Sequence, residues 1–345
     1  MGNSRGKVAL ITGVTGQDGA FLAQRLVNSG LQVFGSVRRG GYQKTDRLKQ
    51  MGTLNKLTFV PLEISEFSNV MQILSDIRPD YIYNLAAQSF VIDSFRHPII
   101  TTQTNYIGVL NILESIKILK LKTKFFQPST SEMYGPQSGK SLGVSDHFNP
   151  QNPYALSKYS AHSAVSMYRD VYGIDAVSAI LFNHESEVRG LEFVTRKITY
   201  HLARMKNGES KPLQLGNLGA ERDWGYAKDY MEAIELIMLG DHSLDFIVAT
   251  NKLHSVREFL KLAASYVGFN PVFDGEGLSE KCFDKKTGLL LCEVKEKFFR
   301  YPDTKALRGD FSLIRDKLSW KPKTDFEELV KIMSLSDLNS MNLSS

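Results

Sequence analysis

Short apolar runs alternate with longer amphipathic segments through the first half of the chain. The runs that predict β-strands are KVALITG (7–13), LQVFGSV (31–37), KLTFVPL (56–62), YIYNLAA (81–87) and KFFQPS (124–129). The segments that carry apolar residues at helical spacing are 17–29, 66–77 and 103–119. This alternation is typical of a parallel sheet with helices on both faces. We therefore expect an α/β protein built on a Rossmann-type doubly wound parallel sheet.

The rhythm becomes irregular after Asn183. A helix over 153–172 and a strand over 176–182 still continue the first pattern. DFIVAT (245–250) then predicts a short strand, and Ser255 is a candidate N-cap for the helix that follows it.

We infer two domains from this change. Residues 1–183 form the first, and the segment 222–254 returns to it. Residues 184–221 and 255–345 form a smaller, mixed α/β domain.

The composition indicates an ordinary globular protein. The chain has 345 residues, of which 42% are apolar and 23% charged, and its net charge of +5 is spread along the sequence. This excess is too small and too scattered to indicate nucleic-acid binding. The N-terminus lacks an apolar signal-peptide core, and no long apolar run could span a membrane. We expect a cytoplasmic protein.

Cys282 and Cys292 are the only two cysteines. They flank FDKKTGLLL, which predicts a hairpin with its turn at 286–288. A disulfide between them is one interpretation, and two reduced thiols in a cytosolic protein is the interpretation we favour.

ITGVTGQDGAFL places Gly13, Gly16 and Gly19 between the first strand and the first helix. Gly13 permits a tight turn, Gly16 lets the backbone approach a pyrophosphate, and Gly19 lets helix and strand pack closely. Three glycines alone are weak evidence, because a purely structural turn can contain them. Their position between a strand and a helix predicts dinucleotide binding.

The end of the second strand carries Arg38 and Arg39 and no acid. An NAD-selective protein would place an Asp or Glu there for the ribose hydroxyls, whereas guanidinium groups suit the 2′-phosphate of NADP. The alternative is a solvated pair of charges. We expect NADP as the cofactor.

NPYALSKYSAH places Tyr154 and Lys158 four residues apart, on one face of a helix. A free phenol has a pKa near about 10, so it is a poor base at neutral pH. A neighbouring ammonium should lower the pKa of Tyr154 and so make it a base. The alternative is a surface pair without function.

Several segments carry a family resemblance. They are ITGVTGQDG, VRR, QPSTSEMYG, ILFNHES, FVTRKI, LGNLGAERDWGYAKDY and HSVREF, in this order. Together they resemble the GDP-mannose 4,6-dehydratase family, part of the extended short-chain dehydrogenase/reductase superfamily. The resemblance extends from about residue 7 to about residue 335.

The resemblance implies catalytic roles for Thr130, Glu132, Tyr154 and Lys158. Tyr154 would take the O4 proton, assisted by Thr130, while C4 passes a hydride to NADP⁺. The new ketone would acidify C5, so that Glu132 removes the C5 proton as water leaves C6. NADPH would return the hydride to C6, giving a 4-keto-6-deoxy sugar without net redox change. In the alternative reading, Glu132 only caps the following turn.

The resemblance also implies two sets of binding residues and no metal. The expected cofactor-binding residues are Gly13, Val14, Thr15, Gly16, Gln17, Asp18, Gly19, Arg38, Arg39, Gly40, Gly41, Glu63, Ile64, Leu85, Ala86, Ala87, Gln88, Ser89, Lys158, His184 and Arg189. The expected substrate-binding residues are Ser89, Glu132, Asn183, Lys197, Arg222, Arg300 and Asp303. Arg196 is a further cation expected to face the substrate. The expected partners are a GDP-sugar and further copies of the chain, in a dimer or tetramer with a contact at 39–51.

The sequence departs from the family near the expected sugar site. Phe90 and Asp93 stand where the family tends to have His and Lys. A pocket altered there could accept GDP-manno-heptose in place of GDP-mannose. A nucleotide-sugar epimerase or oxidoreductase of the same fold is the alternative enzyme. A non-catalytic NADP-sensing regulator is a remote alternative, because it should have lost the catalytic groups.

Overall fold

A computed structural model of the protein describes residues 6–38, 44–137, 139–299 and 306–342. The strands are β1 (Val8–Thr12), β2 (Gln32–Val37), β3 (Thr58–Pro61), β4 (Tyr81–Asn84), β5 (Lys124–Thr130), β6 (Ser141–Leu142), β7 (Ala176–Leu181), β8 (Asn183–Glu185), β9 (Leu213–Leu215), β10 (Glu221–Arg222), β11 (Trp224–Tyr226), β12 (Phe246–Val248), β13 (His254–Ser255), β14 (Pro271–Asp274), β15 (Lys281–Asp284), β16 (Leu290–Val294) and β17 (Arg308–Gly309).

The helices agree closely with the predicted ones in the first half of the chain. They are α1 (Gln17–Asn28), α2 (Asp46–Gln50), α3 (Phe67–Ile77), α4 (Val91–Arg96), α5 (Pro98–Thr102), α6 (Gly108–Ile118), α7 (Pro153–Tyr172), α8 (Val194–Lys206), α9 (Ala227–Leu239), α10 (Val256–Tyr266), α11 (Ser312–Leu318) and α12 (Phe326–Asn342). No helix in the described part of the chain is both long enough and apolar enough to cross a bilayer.

A seven-stranded parallel sheet lies at the centre, in the order β12-β7-β5-β4-β1-β2-β3. The predicted doubly wound α/β fold is therefore confirmed. The strand order reverses at β1, which has β2 on one side and β4 on the other. In open α/β sheets, ligands bind in the crevice that opens at this point, outside the carboxyl ends of the strands.

Both faces of the sheet are buried. Along β1, Ala9 and Ile11 belong to the core beneath α1 and α9, while Val8 and Leu10 belong to the core beneath α3 and α6. A strand covered on both faces needs apolar residues at every position, which is why the predicted strands read as continuous apolar runs.

Buried polar side chains tie together the strand ends at the reversal point. The Thr12 hydroxyl donates to the Oδ1 atom of Asn84 (2.7 Å) and accepts from the backbone N–H of Ala86 (3.0 Å). The amide of Asn84 in turn donates to the Oε1 atom of Gln127 on β5 (2.8 Å). These bonds fix the chain where it leaves β4, so the predicted strand 81–87 ends at Asn84.

The predicted helix 103–119 begins with a π-helical turn, Gln103–Ile107, before α6. Asn105 in this turn accepts a hydrogen bond from the backbone N–H of Gln88 (2.8 Å). Its amide donates to the carbonyl of Gln88 (2.9 Å) and to the hydroxyl of Ser157 on α7 (3.1 Å). π-helical turns occur frequently at functional sites. This one joins the loop after β4 to α7.

A second sheet has the order β14-β15-β16-β9. The predicted hairpin is present as the antiparallel pair β15 and β16, with Cys282 directly opposite Cys292. Both thiols are free and buried. The predicted N-cap is confirmed, because Ser255 and Glu258 form a capping box at the start of α10. β12, which lies in the segment 222–254, pairs with β7 of the central sheet. The domain boundaries themselves stay a prediction.

Candidate active site

A cleft of about 1190 Å³ opens at the carboxyl ends of the central strands, and most of the residues singled out from the sequence line it. The expected cofactor residues on its wall are Gly13, Thr15, Gly16, Gln17, Asp18, Gly19, Arg38, Glu63, Ile64, Leu85, Ala86, Ala87, Ser89, Lys158, His184 and Arg189. The expected catalytic and substrate residues on its wall are Thr130, Glu132, Tyr154, Ser89, Asn183, Lys197 and Arg222. Arg39, Gly40, Gly41, Arg300 and Asp303 lie outside the described residues.

The glycine turn is built for close backbone approach. Gly13 has a φ of +67°, and a Cβ there would lie 2.8 Å from the backbone nitrogen of Ala86. A Cβ on Gly19 would lie 2.6 Å from the Cα atom of Val14. α1 begins after Gly16, and no side chain caps this end of the helix. The free N–H groups of this helix end fit the pyrophosphate of a dinucleotide.

Asp18, in the first turn of α1, forms an ion pair with His184 in β8, with 3.0 Å between the carboxylate and the Nε2 atom. Burial alone would raise the pKa of Asp18, but the charge and hydrogen bond of His184 outweigh it and hold that pKa at about 2. Burial alone would lower the pKa of His184, and Asp18 instead raises it. The Nδ1 atom of His184 lies 2.7 Å from the carbonyl of Phe182, so both ring nitrogens face acceptors and favour the imidazolium.

Cations surround the end of β2. The Nε atom of the exposed Arg38 lies 3.6 Å from the carboxylate of Glu63, another of the expected cofactor-binding residues. Arg47, which was not predicted, donates to the carbonyls of Thr15 (3.1 Å) and Val188 (2.7 Å). It thereby links the glycine turn to the loop that carries Arg189. Lys44 also lines this part of the cleft.

The four expected catalytic residues meet in the cleft. Thr130 ends β5, and Glu132 lies in the short helical turn that follows. α7 supplies Tyr154 and Lys158, which are 9% and 4% exposed. The Thr130 hydroxyl accepts from the backbone N–H of Glu132 (3.3 Å), so Thr130 and not Glu132 caps this turn.

Burial controls the pKa values of the Tyr–Lys pair. It raises the pKa of Tyr154 to about 12, against a smaller lowering by a hydrogen bond with Thr130. It lowers the pKa of Lys158 to about 8. The expectation that Lys158 lowers the pKa of Tyr154 is wrong for this structure. Burial destabilises the phenolate more than the neighbouring groups stabilise it, so the pKa is raised. Among the described residues, the ammonium of Lys158 has no hydrogen-bond or ion-pair partner.

The far end of the cleft is cationic and aromatic. The ammonium of Lys197 donates to the carbonyl of Gln214 (2.7 Å) and lies 4.2 Å from the centroid of the Phe298 ring. Burial lowers the pKa of Lys197. The expectation that Arg196 faces the substrate is wrong. Its guanidinium donates instead to the buried carboxylate of Asp337 on α12 (2.6–2.9 Å).

Two phenylalanines face each other beside the expected sugar site. Phe90 follows β4 and Phe193 precedes α8, and their ring centroids are 6.0 Å apart in an edge-to-face arrangement. The guanidinium of Arg189 lies 3.6 Å from the centroid of the Phe193 ring and 3.2 Å from the carboxylate of Glu185. The ring pair therefore forms one apolar wall of the cleft, fixed from behind by a charged pair.

The family model described as GDP-mannose 4,6 dehydratase matches residues 10–333 of the chain. The chain belongs to this family. A relative named GDP-mannose 4,6-dehydratase, from Vibrio cholerae serotype O1, is 40% identical and covers 96% of this chain and 94% of its own. The family resemblance seen in the sequence is thus confirmed, and with it the expectation of an enzyme of the lyase class.

Solved structures similar to this family member extend the comparison to the fold alone, since their identities are below 25%. A UDP-glucose 4-epimerase from Thermotoga maritima has a TM-score of 0.79 at 23% identity, over 97% of this chain and 99% of that one. A dTDP-glucose 4,6-dehydratase from Bacillus anthracis, in complex with NAD, has a TM-score of 0.80 at 19% identity, over 97% and 98%. Epimerases and dehydratases share the scaffold, so the scaffold does not choose between these reactions.

Two expected cofactor residues of this family member lie off the cleft wall. The side chain of Val14 is buried, and its methyl groups lie against Gly35 of β2. The side chain of Gln88 turns back on its own loop, accepting from the N–H of Phe90 (2.6 Å) and donating to its carbonyl (3.1 Å). Sequence reasoning also missed Arg47, Phe193 and Asn152, each of which has a contact in the site with a residue distant in the sequence.

Proposed function

We propose that the protein catalyses the NADP-dependent 4,6-dehydration of a GDP-sugar, GDP-mannose or GDP-manno-heptose, to the GDP-4-keto-6-deoxy sugar. One observation carries the proposal: a carboxylate, Glu132, shares the cleft with the Thr130, Tyr154 and Lys158 side chains. Oxidation of a sugar hydroxyl needs only the latter three. A neighbouring carboxylate adds the base that an elimination requires.

The residues around the glycine turn would hold the cofactor. The helix end after Gly16 would receive the pyrophosphate, and Arg38 would face a 2′-phosphate, which supports NADP over NAD. The open ammonium of Lys158 would take the ribose hydroxyls. When bound, the nicotinamide supplies reversible hydride transfer.

Tyr154 would manage the proton at O4. With a pKa of about 12 in this structure, its phenol is protonated at neutral pH, so it needs an acceptor or an added positive charge to act as a base. Lys158 is protonated below about pH 8 but is already present in this structure, so the added charge would come from the bound nicotinamide ring. Thr130 would share the proton between the phenol and O4.

Glu132 would carry out the elimination. Once C4 is a ketone, the C5–H bond is acidified, and Glu132 would take the C5 proton as the C5=C6 bond forms. Glu132 would then pass that proton to the departing C6 hydroxyl, which leaves as water. Return of the hydride to C6 and addition of a solvent proton at C5 would complete the 6-deoxy product. Because nothing is oxidised or reduced overall, the sugar has to stay enclosed throughout.

The other end of the cleft supports binding of a nucleoside diphosphate that stays attached to the sugar throughout the reaction. Lys197 and Arg222 line it, and cationic side chains suit a diphosphate. Phe298 offers an aromatic face for a base. The Phe90–Phe193 wall lines the cleft, and Phe90 departs from the His that the family tends to have there, which supports GDP-manno-heptose as a second candidate beside GDP-mannose.

The test is to incubate the purified protein with each GDP-sugar and NADP⁺ and to follow the sugar by mass spectrometry. We expect loss of one water from one or both sugars, with no accumulation of free NADPH. The Tyr154→Phe variant serves as the inactive control. An isomer of unchanged mass would instead support an epimerase, and stoichiometric NADPH a simple oxidoreductase.

We also propose that the chain functions as a homo-oligomer with a contact at 39–51, and that 1–183 with 222–254 forms the cofactor domain. The pairing of β12 with β7 supports the second part. Analytical ultracentrifugation tests the first part. A monomer with full activity would overturn it.

A further inference from the structure

Asn152, the residue just before α7, makes two hydrogen bonds with its side chain. Its Oδ1 atom accepts from the backbone N–H of Ala155 (2.7 Å) and so caps the helix. Its Nδ2 atom donates to the Oε2 atom of Glu132 (3.2 Å). Because the helix N–H requires the oxygen, only the amino group of the amide can face the carboxylate.

The bond to Glu132 connects the carboxylate to the helix that carries the phenol. Tyr154 follows Asn152 by two residues, and the backbone N–H of Glu132 donates to Thr130 (3.3 Å). Glu132 is thus held at its backbone by Thr130 and at its side chain by Asn152. Thr130, Glu132 and the helix that carries Tyr154 are thus connected by hydrogen bonds, so the orientation of each depends on the others.

We propose that Asn152 is a positioning residue for the elimination step, orienting Glu132 towards the C5 proton. This rests on the proposed function. The bond occupies one carboxylate oxygen and leaves the other for the substrate. A neutral amide does this without adding a cation, which would stabilise the carboxylate and weaken it as a base.

An alternative is that Asn152 matters only as a helix cap. Asn152→Ser separates the two roles, because serine is also a good N-cap but is too short and lacks the amide that reaches Glu132. Asn152→Ala removes both bonds. Asp325→Ala is the matched control: the Asp325 carboxylate accepts from the N–H of Glu328 (2.9 Å) at the start of α12, away from the cleft.

The experiment measures four quantities on the holoenzyme: melting temperature, NADP binding, formation of enzyme-bound NADPH after mixing with the GDP-sugar, and water loss. For Asn152→Ser we expect the first three to match the wild type. Water loss and solvent deuterium incorporation at C5 should fall by about tenfold or more. Asn152→Ala should add a fall of a few degrees in melting temperature, and Asp325→Ala should show only such a fall.

If the wild type loses water and Asn152→Ser does so at the same rate, the positioning role is overturned. It is also overturned by an equal loss of NADPH formation and of water loss, which would indicate a purely structural effect. Failure of the wild type itself to lose water from either GDP-sugar overturns the proposed function, and the positioning role with it. The wild-type arm therefore separates the two failures.

Discussion

The imidazole of His184 lies 3.0 Å from the carboxylate of Asp18, joining β8 to the first turn of α1 across 166 positions of sequence. This pair stabilises the fold beside the glycine turn. Both side chains are mostly shielded from water, at 12% and 26% exposure, so that solvent screens the pair only in part.

The pair should stabilise the protein in a defined pH window. The pKa of Asp18 is lowered to about 2, so its contribution is present above its ordinary value of 3.8 and is lost as pH falls towards 2. The pKa of His184 is raised above 6.5, so its contribution is present below 6.5 and is lost as pH rises through the raised value. His184→Gln should therefore cost about 1–2 kcal/mol near pH 5 and less at higher pH.

Urea unfolding of both proteins across the pH range measures this difference. Tyr230→Phe is the control, because Tyr230 stacks on His184 and its buried hydroxyl has no hydrogen-bond partner in the described structure. Its effect should not vary with pH. A His184→Gln effect that is equally constant would contradict the ion-pair interpretation.

Glu132→Gln should stop dehydration while leaving NADP and GDP-sugar binding intact. The amide keeps the shape of the side chain but cannot accept the C5 proton, and general-base residues typically contribute at least about a hundredfold to rate. Mass spectrometry of the sugar measures water loss, and titration calorimetry measures binding. Glu66→Gln, which neutralises an exposed carboxylate outside the cleft, is the control. Full activity in Glu132→Gln would refute the assigned role.

Lys158 should react with small amine-modifying reagents at an unusually low pH. Its pKa is lowered to about 8 by burial, so the reactive free amine appears as pH rises through about 8, whereas an ordinary lysine titrates near about 10.4. Peptide mapping after brief labelling at a series of pH values measures this, and NADP should protect the residue. Labelling of Lys158 in parallel with the bulk of the lysines would count against the prediction.

Arg38→Ala should weaken NADP binding by about tenfold, equivalent to about 1.4 kcal/mol, and leave NAD binding nearly unchanged. Glu63→Gln should shift the preference further towards NADP, because it releases Arg38 from the carboxylate 3.6 Å away. Fluorescence titration with both cofactors measures the two affinities, and NAD serves as the internal control. Equal losses for NADP and NAD in Arg38→Ala would argue against 2′-phosphate recognition.

Local physics explains why much of the site could be read from the sequence. The glycine turn, the start of α1 and the Tyr154–Lys158 spacing each depend on residues within one turn or one helix. Buried strands require apolar runs, so the order of elements and the parallel sheet followed as well. The carboxyl edge of such a sheet then collects residues at the ends of its strands, including Thr130 at the end of β5 and Glu132 in the turn after it.

Contacts between distant segments decided the rest. Arg196 was expected at the substrate but is bound to Asp337 on the last helix, and no local pattern distinguishes it from Lys197 next to it. The pKa of Tyr154 depends on how deeply the folded chain buries it, which its spacing from Lys158 cannot show. Residues close together along the chain set the turns, helix starts and strand ends that carry the chemical groups. Which of these groups come together, and how far water is excluded from them, depends on packing between residues far apart along the chain.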